Sequence, residues 1–214
     1  EVLVERMARL YNVLKDMEEI DGKCIVSSHT LGEMIGSNSI QIRKDISMFL
    51  DNIGIKGQGY ELKELKRKLR DRLKLKTFDW PVILAGAGAL GKVMLNYPIF
   101  KEEHYNIVAV VDNSADKIGQ KIESEVFGKL MVQDIENIDK IIEETQARLA
   151  IVTVPMANTQ EIVDKLTEAG IKGILNFSAP HVDVPNDVKV RHISSIVEME
   201  VLAFFIGKSK GKNN

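Results

Sequence analysis

Gly86, Gly88 and Gly91 stand in the spacing G-x-G-x-x-G within VILAGAGALGKVML, residues 82–95. That spacing serves the binding of a pyrophosphate: the first glycine permits a tight turn, the second lets a phosphate approach the backbone, and the third lets a helix lie close to a strand. Such spacings arise often by chance, so the context decides. PVILA is an apolar strand leading into the glycines, and LGKVMLNY opens a helix whose first amides would face the anion. Asp112 ends the next strand 21 residues beyond Gly91, where an acid bonds adenine-ribose hydroxyls and repels a 2′-phosphate. NAD(H) is therefore favoured over NADP(H). Ala89 and Leu90 complete the loop as candidate cofactor residues. Pro155 and Met156 follow AIVTV at the next carboxyl edge, where a pocket wall and a structural turn fit equally well.

A second set of residues suits a nucleic acid. Ser39, Gln41, Arg43 and Lys44 lie on the first turns of a helical pattern, where Arg and Lys can bond guanine or clamp phosphates and Gln can bond adenine. Lys56, at the tip of a glycine hairpin, can follow the minor groove or the backbone. Residues 38–76 hold eleven Lys or Arg against five Asp or Glu, a local +6 in a chain of net charge −2. A polyanion contact explains such a block, as does a solvated helix face.

No catalytic residue is expected. His29, His104, His181 and His192 are scattered, and none pairs with an acid in an arrangement suited to proton transfer. Cys24 is the only cysteine, which excludes an internal disulfide and a cysteine metal cluster. No metal is expected. The longest apolar runs, Val82 to Leu90 and Val201 to Ile206, fall short of the roughly 20 residues of a membrane span. EVLVERMARL sets charges among its apolar positions, unlike a secretory signal, so a cytoplasmic protein is expected.

The elements that position these groups follow from periodicity. Leu3, Met7, Leu10, Leu14 and Met17 share one side of a first helix. Ser28 precedes a short second helix that Gly36 stops, with Leu31, Met34 and Ile35 inward. Ile42, Ile46, Phe49 and Leu50 form the stripe of a third helix, completing a helix-turn-helix pattern. IGIKGQGYEL reads as a wing, with Gly54, Gly57 and Gly59, Lys56 near the tip and Tyr60 on the return. Leu62, Leu65, Leu69 and Leu73 mark a basic connecting helix, and TFDWP closes the domain.

From Val82 onward, VILAG, NIVAVV, GKLMV, RLAIVTV, GILNF and KVRHI read as strands alternating with helices, which predicts a parallel sheet. The fold class is α/β: a winged-helix domain over 1–80, a Rossmann-type domain over 81–193, and a C-terminal helix with a polar tail over 194–214. The sheet leaves roughly 80 residues before it and 20 after it, too few for a substrate domain. In the helix SSIVEMEVLAFFI, residues Val197, Val201, Leu202, Phe204 and Phe205 suit a dimer seam or a plain core. The tail GKSKGKNN is expected to fray.

VSS, IQIRKDISMF, KGQGY, GAGALG, NYPIF and AGIKGILNF, in this order over nearly the whole chain, resemble the Rex family of bacterial redox-sensing transcriptional repressors. The resemblance implies a homodimer with an exchanged C-terminal helix, which binds palindromic operator DNA when NADH is scarce and releases it as the NADH to NAD⁺ ratio rises. It implies DNA contacts for Arg43, Lys44 and Tyr60, and cofactor contacts for Gly86, Gly88, Gly91 and Asp112. Tyr97 matches a tyrosine whose contacts change with redox state. The chain departs from the family's pattern in four places. Lys56 replaces an arginine in a wing one residue longer, which removes the planar fork; Ala89 replaces an asparagine; NFSAP carries its proline one step late. Ser194 and Ser195 stand where the family has aspartate and leucine, and the resemblance implies that this aspartate helps couple cofactor state to dimer geometry, so sensing is open to being weakened or rewired. Two other readings stand beside this one: a small NAD-dependent dehydrogenase, and a DNA-binding protein whose Rossmann domain is only a dimerisation scaffold.

Overall fold

The computed structural model describes residues 2–15, 17, 24–51, 53–75 and 78–210, and the chain divides into two compact units, Glu1–Phe78 and Asp79–Asn214. The last four residues of the polar tail lie outside the described residues.

In the first unit, spacing at three and four residues buries Met7, Leu10, Tyr11 and Leu14 of α1 (Val2–Lys15). Strand β1 (Ile25–Val26), α2 (Ser28–Met34), α3 (Ser39–Phe49), β2 (Gly54–Ile55), β3 (Gly59–Glu61) and α4 (Leu62–Arg72) follow. Leu31, Ile42, Ile46, Leu62, Leu65 and Leu69 join α1 in one core. The cap of α2 is Ser27, not Ser28: its hydroxyl accepts from the Thr30 amide at 3.1 Å. Asn38 does the same for α3, accepting from the Gln41 amide at 2.8 Å. The wing hairpin β2–β3 gains a third strand unforeseen in the sequence, since β1 pairs antiparallel with β3. Gly59 makes that approach possible: at φ +127, a Cβ there would sit 2.3 Å from the Val26 carbonyl oxygen.

One polar group is sealed inside this unit. The Asp45 carboxylate on α3 is 2% exposed and accepts from Arg6 of α1 through Nε at 2.6 Å and Nη2 at 2.8 Å, and from Gln41 Nε2 at 2.7 Å. The hydrogen bond to Arg6 is the largest influence holding this carboxyl below its usual range, against the upward push of burial. Asp45 is buried but Arg6 is 28% exposed, so removing the carboxylate costs its hydrogen bonds without sealing an unpaired cation in the core, less than for a fully buried pair. Asp45→Ala is therefore expected to lower the melting temperature of this unit by on the order of 10 °C at neutral pH. Because the folded-state value is depressed, the pair's contribution is complete above the ordinary carboxylate value of about 3.9 and disappears as pH falls through the lower folded value. Melting curves of wild type and Asp45→Ala should thus converge in acid; a constant gap down to the acid transition would contradict this account.

The second unit carries β4 (Trp80–Ala85), α5 (Ala89–Leu95), α6 (Ile99–Glu102), β5 (Tyr105–Asp112), β6 (Lys121–Ser124), β7 (Gly128–Asp134), α7 (Ile138–Thr145), β8 (Leu149–Val152), α8 (Thr159–Glu168), β9 (Gly173–Asn176), β10 (Lys189–His192) and α9 (Ser195–Lys210). The sheet runs β10-β9-β8-β4-β5-β7-β6. Its strands are parallel except β6, which returns antiparallel along β7. The wholly parallel expectation is corrected there: β6 is a four-residue edge strand of alternating burial, joined by a turn over 125–127 to β7, whose first residue Gly128 takes φ +79.

Helices α7 and α8 supply Ile138, Ile141, Ile162, Val163 and Leu166 to one face of the sheet. On the other face α5 covers β4 and β5 with Leu95. The connection from β9 to β10, residues 177–188, holds no helix. Beside it lies a hollow of about 420 Å³ lined by Val82, Phe100, Tyr105, Leu149, Ile151 and Leu175.

Candidate nucleotide and nucleic-acid sites

At the carboxyl edge of β4 the chain turns through Gly86, at φ +108, whose amide donates to the Val111 carbonyl at 2.8 Å. The neighbouring strand end clamps this turn. Thr153, directly after β8, donates its amide to Ala85 O at 2.8 Å and lies with Oγ1 3.1 Å from both Ala85 O and Gly86 O. The three glycines divide their tasks. A Cβ on Gly86 would meet Thr153 at 2.8 Å, and one on Gly91 would fall 2.0 Å from Gly86 O, so both serve the close packing of helix on strand. Gly88 caps α5 at φ −79 with nothing within 4 Å of a Cβ. That open space before the first helical amides fits an incoming pyrophosphate. Ala89 and Leu90 form the exposed first turn of α5.

Asp112 is 4% exposed at the end of β5 and reaches back to this loop. Its Oδ2 accepts from the Ala87 amide at 2.8 Å and from Lys117 Nζ at 3.1 Å, and its Oδ1 from the Ser114 amide at 3.0 Å. Burial pushes its pKa up, but those three donors outweigh burial and hold the carboxyl below its usual value. It is ionised at neutral pH and anchors the loop as well as offering its remaining lone pairs. Pro155 and Met156 are exposed two and three residues beyond the Thr153 clamp, on the same carboxyl edge.

Tyr97 is placed differently. It lies past the C-terminal end of α5, about 10 Å of helix from Gly88, half exposed and edge-on to Phe100 at 5.7 Å. This chain does not bring it to the glycine loop. Thr153 and Lys117 are site residues that sequence reasoning missed. Lys117 had only its place in the turn after Asp112 as a signal, and Thr153 only its position at a strand end.

On α3 the outward positions are Ile40, Arg43, Lys44, Ser47 and Met48, an i, i+3, i+4, i+7, i+8 stripe. Arg43 is exposed and donates from Nη1 to Ser28 Oγ at 2.9 Å. Lys44 is exposed beside it, and Lys56 is exposed at the wing turn. Three of the expected contacts are not on the exposed face. Gln41 spends its amide on Asp45, and Ser39 is half-buried. Tyr60 is 7% exposed in the core, where burial pushes its phenol up. Arg43, Lys44, Ser47, Asp51, Gly54 and Tyr60 border a hollow of about 540 Å³ between helix and wing.

Ser194 caps α9, its Oγ accepting from the Val197 amide at 3.3 Å. A hydroxyl here does the capping work of an aspartate without its charge. Among the described residues no group of His, Cys, Asp and Glu is placed to hold a metal, and no helix is long and apolar enough to cross a membrane.

Comparison with known proteins finds matches over both units of the chain. Residues 77–180 match a family model described as a CoA binding domain, and residues 1–47 match one for a DNA-binding protein N-terminus. The redox-sensing transcriptional repressor Rex of Chloroflexus aggregans is 34% identical over 210 residues, 98% of this chain and 95% of that protein. The crystal structure of RSP, a Rex-family repressor, superposes with a TM-score of 0.83 at 27% identity, covering 98% of this chain and 94% of RSP. RSP in complex with β-NAD⁺ and operator DNA gives 0.82 at 27% identity over 100% and 97% of the two chains. RSP with β-NADH gives 0.81 at 28% identity over 98% and 94%.

Proposed function

This chain belongs to the Rex family of redox-sensing transcriptional repressors, and from that premise we propose how its residues carry out that role. It is a regulator, not an enzyme. Its operator contacts are Arg43, Lys44 and Lys56, with Ser39, Gln41 and Tyr60 shaping the surface behind them. Its pyridine nucleotide sits on Gly88 and the first turn of α5, flanked by Asp112 and Pro155. The observation that carries this reading is that one chain holds both an exposed cationic helix face beside a wing and a glycine loop locked open by an ionised aspartate.

The working unit is a homodimer, placed in the cytoplasm where operator and nucleotide meet. The face left bare by the helix-free β9–β10 connection supports this, as does α9, whose Val197, Val201, Leu202 and Phe205 are 52%, 45%, 55% and 64% exposed. A partner's α9 laid on that face buries both. Tyr97, remote from its own glycine loop, then has a partner surface to answer to.

Oxidised and reduced nicotinamide differ by a hydride and by one charge, and binding one form better in one dimer geometry is all that sensing requires. NADH favours the geometry whose two reading heads no longer match major-groove faces about 34 Å apart. By linkage, operator weakens NADH binding by the same factor. Titrating a preformed operator complex with NADH and NAD⁺ separately is the test. NADH is expected to release the DNA at concentrations where NAD⁺ leaves it bound; equal effects of the two would remove redox sensing from the account. Ser194 leaves that difference smaller than a charged residue would, because the cap of α9 carries no carboxylate.

A further inference from the structure

Among the large apolar side chains of the described residues, Ile40 is the most exposed, at 71%. It stands at the second position of α3, on the face that carries Arg43, Lys44 and Ser47. Nothing in the fold accounts for it. The helix meets its core requirement through Ile42 at 0% and Ile46 at 1% exposure, and a β-branched residue is a poor choice for a solvated helix turn. A lone exposed apolar residue is ordinary on a protein surface. One set a helical turn ahead of two exposed cations, on the first turn of the helix that faces a groove, is placed where base edges are read.

We propose that Ile40 is a specificity-determining residue that packs against the C5-methyl group of a thymine in the operator's major groove. The major groove offers one prominent apolar feature, the thymine methyl, which cytosine and uracil lack. The side chains of Arg43 and Lys44, one helical turn along, hold α3 to the flanking phosphates and so fix how near Ile40 comes to the base edges. The proposal rests on the reading of α3 as the DNA-contacting helix and adds a base preference to it.

The experiment uses a duplex selected by the full-length protein from a randomised palindromic pool, with each thymine replaced in turn by deoxyuridine in both half-sites. Binding is followed by fluorescence anisotropy for wild type and for Ile40→Ala. Removing one methyl contact per half-site is expected to weaken wild type about fourfold per half-site at one position. Ile40→Ala should bind the thymine duplex correspondingly less well and show no further loss with deoxyuridine there. Because the side chain is exposed and alanine favours a helix, the variant keeps its melting temperature and its release by NADH. If wild type binds tightly but no position shows a uracil effect dependent on residue 40, the proposal is overturned while the DNA-binding reading stands. If wild type selects no duplex, both fall together.

Discussion

Gly91→Ala is expected to abolish the response to NADH while leaving operator binding in place. The added Cβ would fall 2.0 Å from Gly86 O and 3.1 Å from Gly86 C. Both are backbone atoms of a turn that Thr153 and Val111 already hold by hydrogen bonds. Neither can yield as a side chain would, so α5 must lift from the strand and carry its amides away from the phosphate position. Overpacking of this kind costs about 1–3 kcal/mol, and NADH affinity should fall on the order of 100-fold, about 2.7 kcal/mol.

Gly88→Ala separates folding from binding at the same loop. Its φ of −79 suits any residue and its Cβ meets nothing within 4 Å, so melting should not change. The methyl group stands where the pyrophosphate approaches, and NADH affinity should drop about tenfold. Fluorescence titration of NADH and calorimetric melting read the two quantities independently. Unaltered NADH affinity in Gly88→Ala would show that the nucleotide is held elsewhere.

That loop was readable in the sequence because its spacing reports a backbone requirement, and backbone requirements are local. Asp112 was readable for the same reason, yet its second task was not: the Ala87 amide that it anchors lies 25 residues away. Periodicity placed α1, α3 and α4 correctly, since a buried stripe needs no partner to be recognised. Strands β1 and β6 escaped because two and four residues carry almost no period, and β1 exists only through its pairing with β3. Gln41 was assigned outward as a polar residue on an N-terminal turn. Its amide turns inward because Asp45 is fixed by Arg6, 39 residues away. Ile40 lies outside the stripe of Ile42, Ile46, Phe49 and Leu50, and a single apolar residue off a stripe carries no signal of its own. Tyr97 shows the limit of resemblance: the position matches, but the side chain lies past the far end of α5 from the glycine loop, edge-on to Phe100.

Val201→Asp combined with Phe205→Asp is expected to turn the proposed dimer into a monomer and to cut operator affinity at least 100-fold. The two positions are one helical turn apart on α9 and 45% and 64% exposed, so the fold of the chain itself has little stake in them. Nor is α9 an ordinary surface helix, because its apolar residues, from Ile196 to Ile206, are all 45–66% exposed and solvated surface helices keep such residues to one side. An exposed apolar surface of that extent marks a site that another surface covers. Carboxylates at 201 and 205 would enter that cover unpaired, at several kcal/mol each. With the seam lost, the second half-site no longer benefits from the first, an advantage of 10²–10⁴ for linked heads. Sedimentation equilibrium should give half the wild-type mass, and each monomer should still bind NADH, because the glycine loop, Asp112 and Thr153 all belong to one chain. A variant that remains dimeric with full operator affinity would remove α9 from the seam and leave the bare β8–β9–β10 face without its proposed occupant.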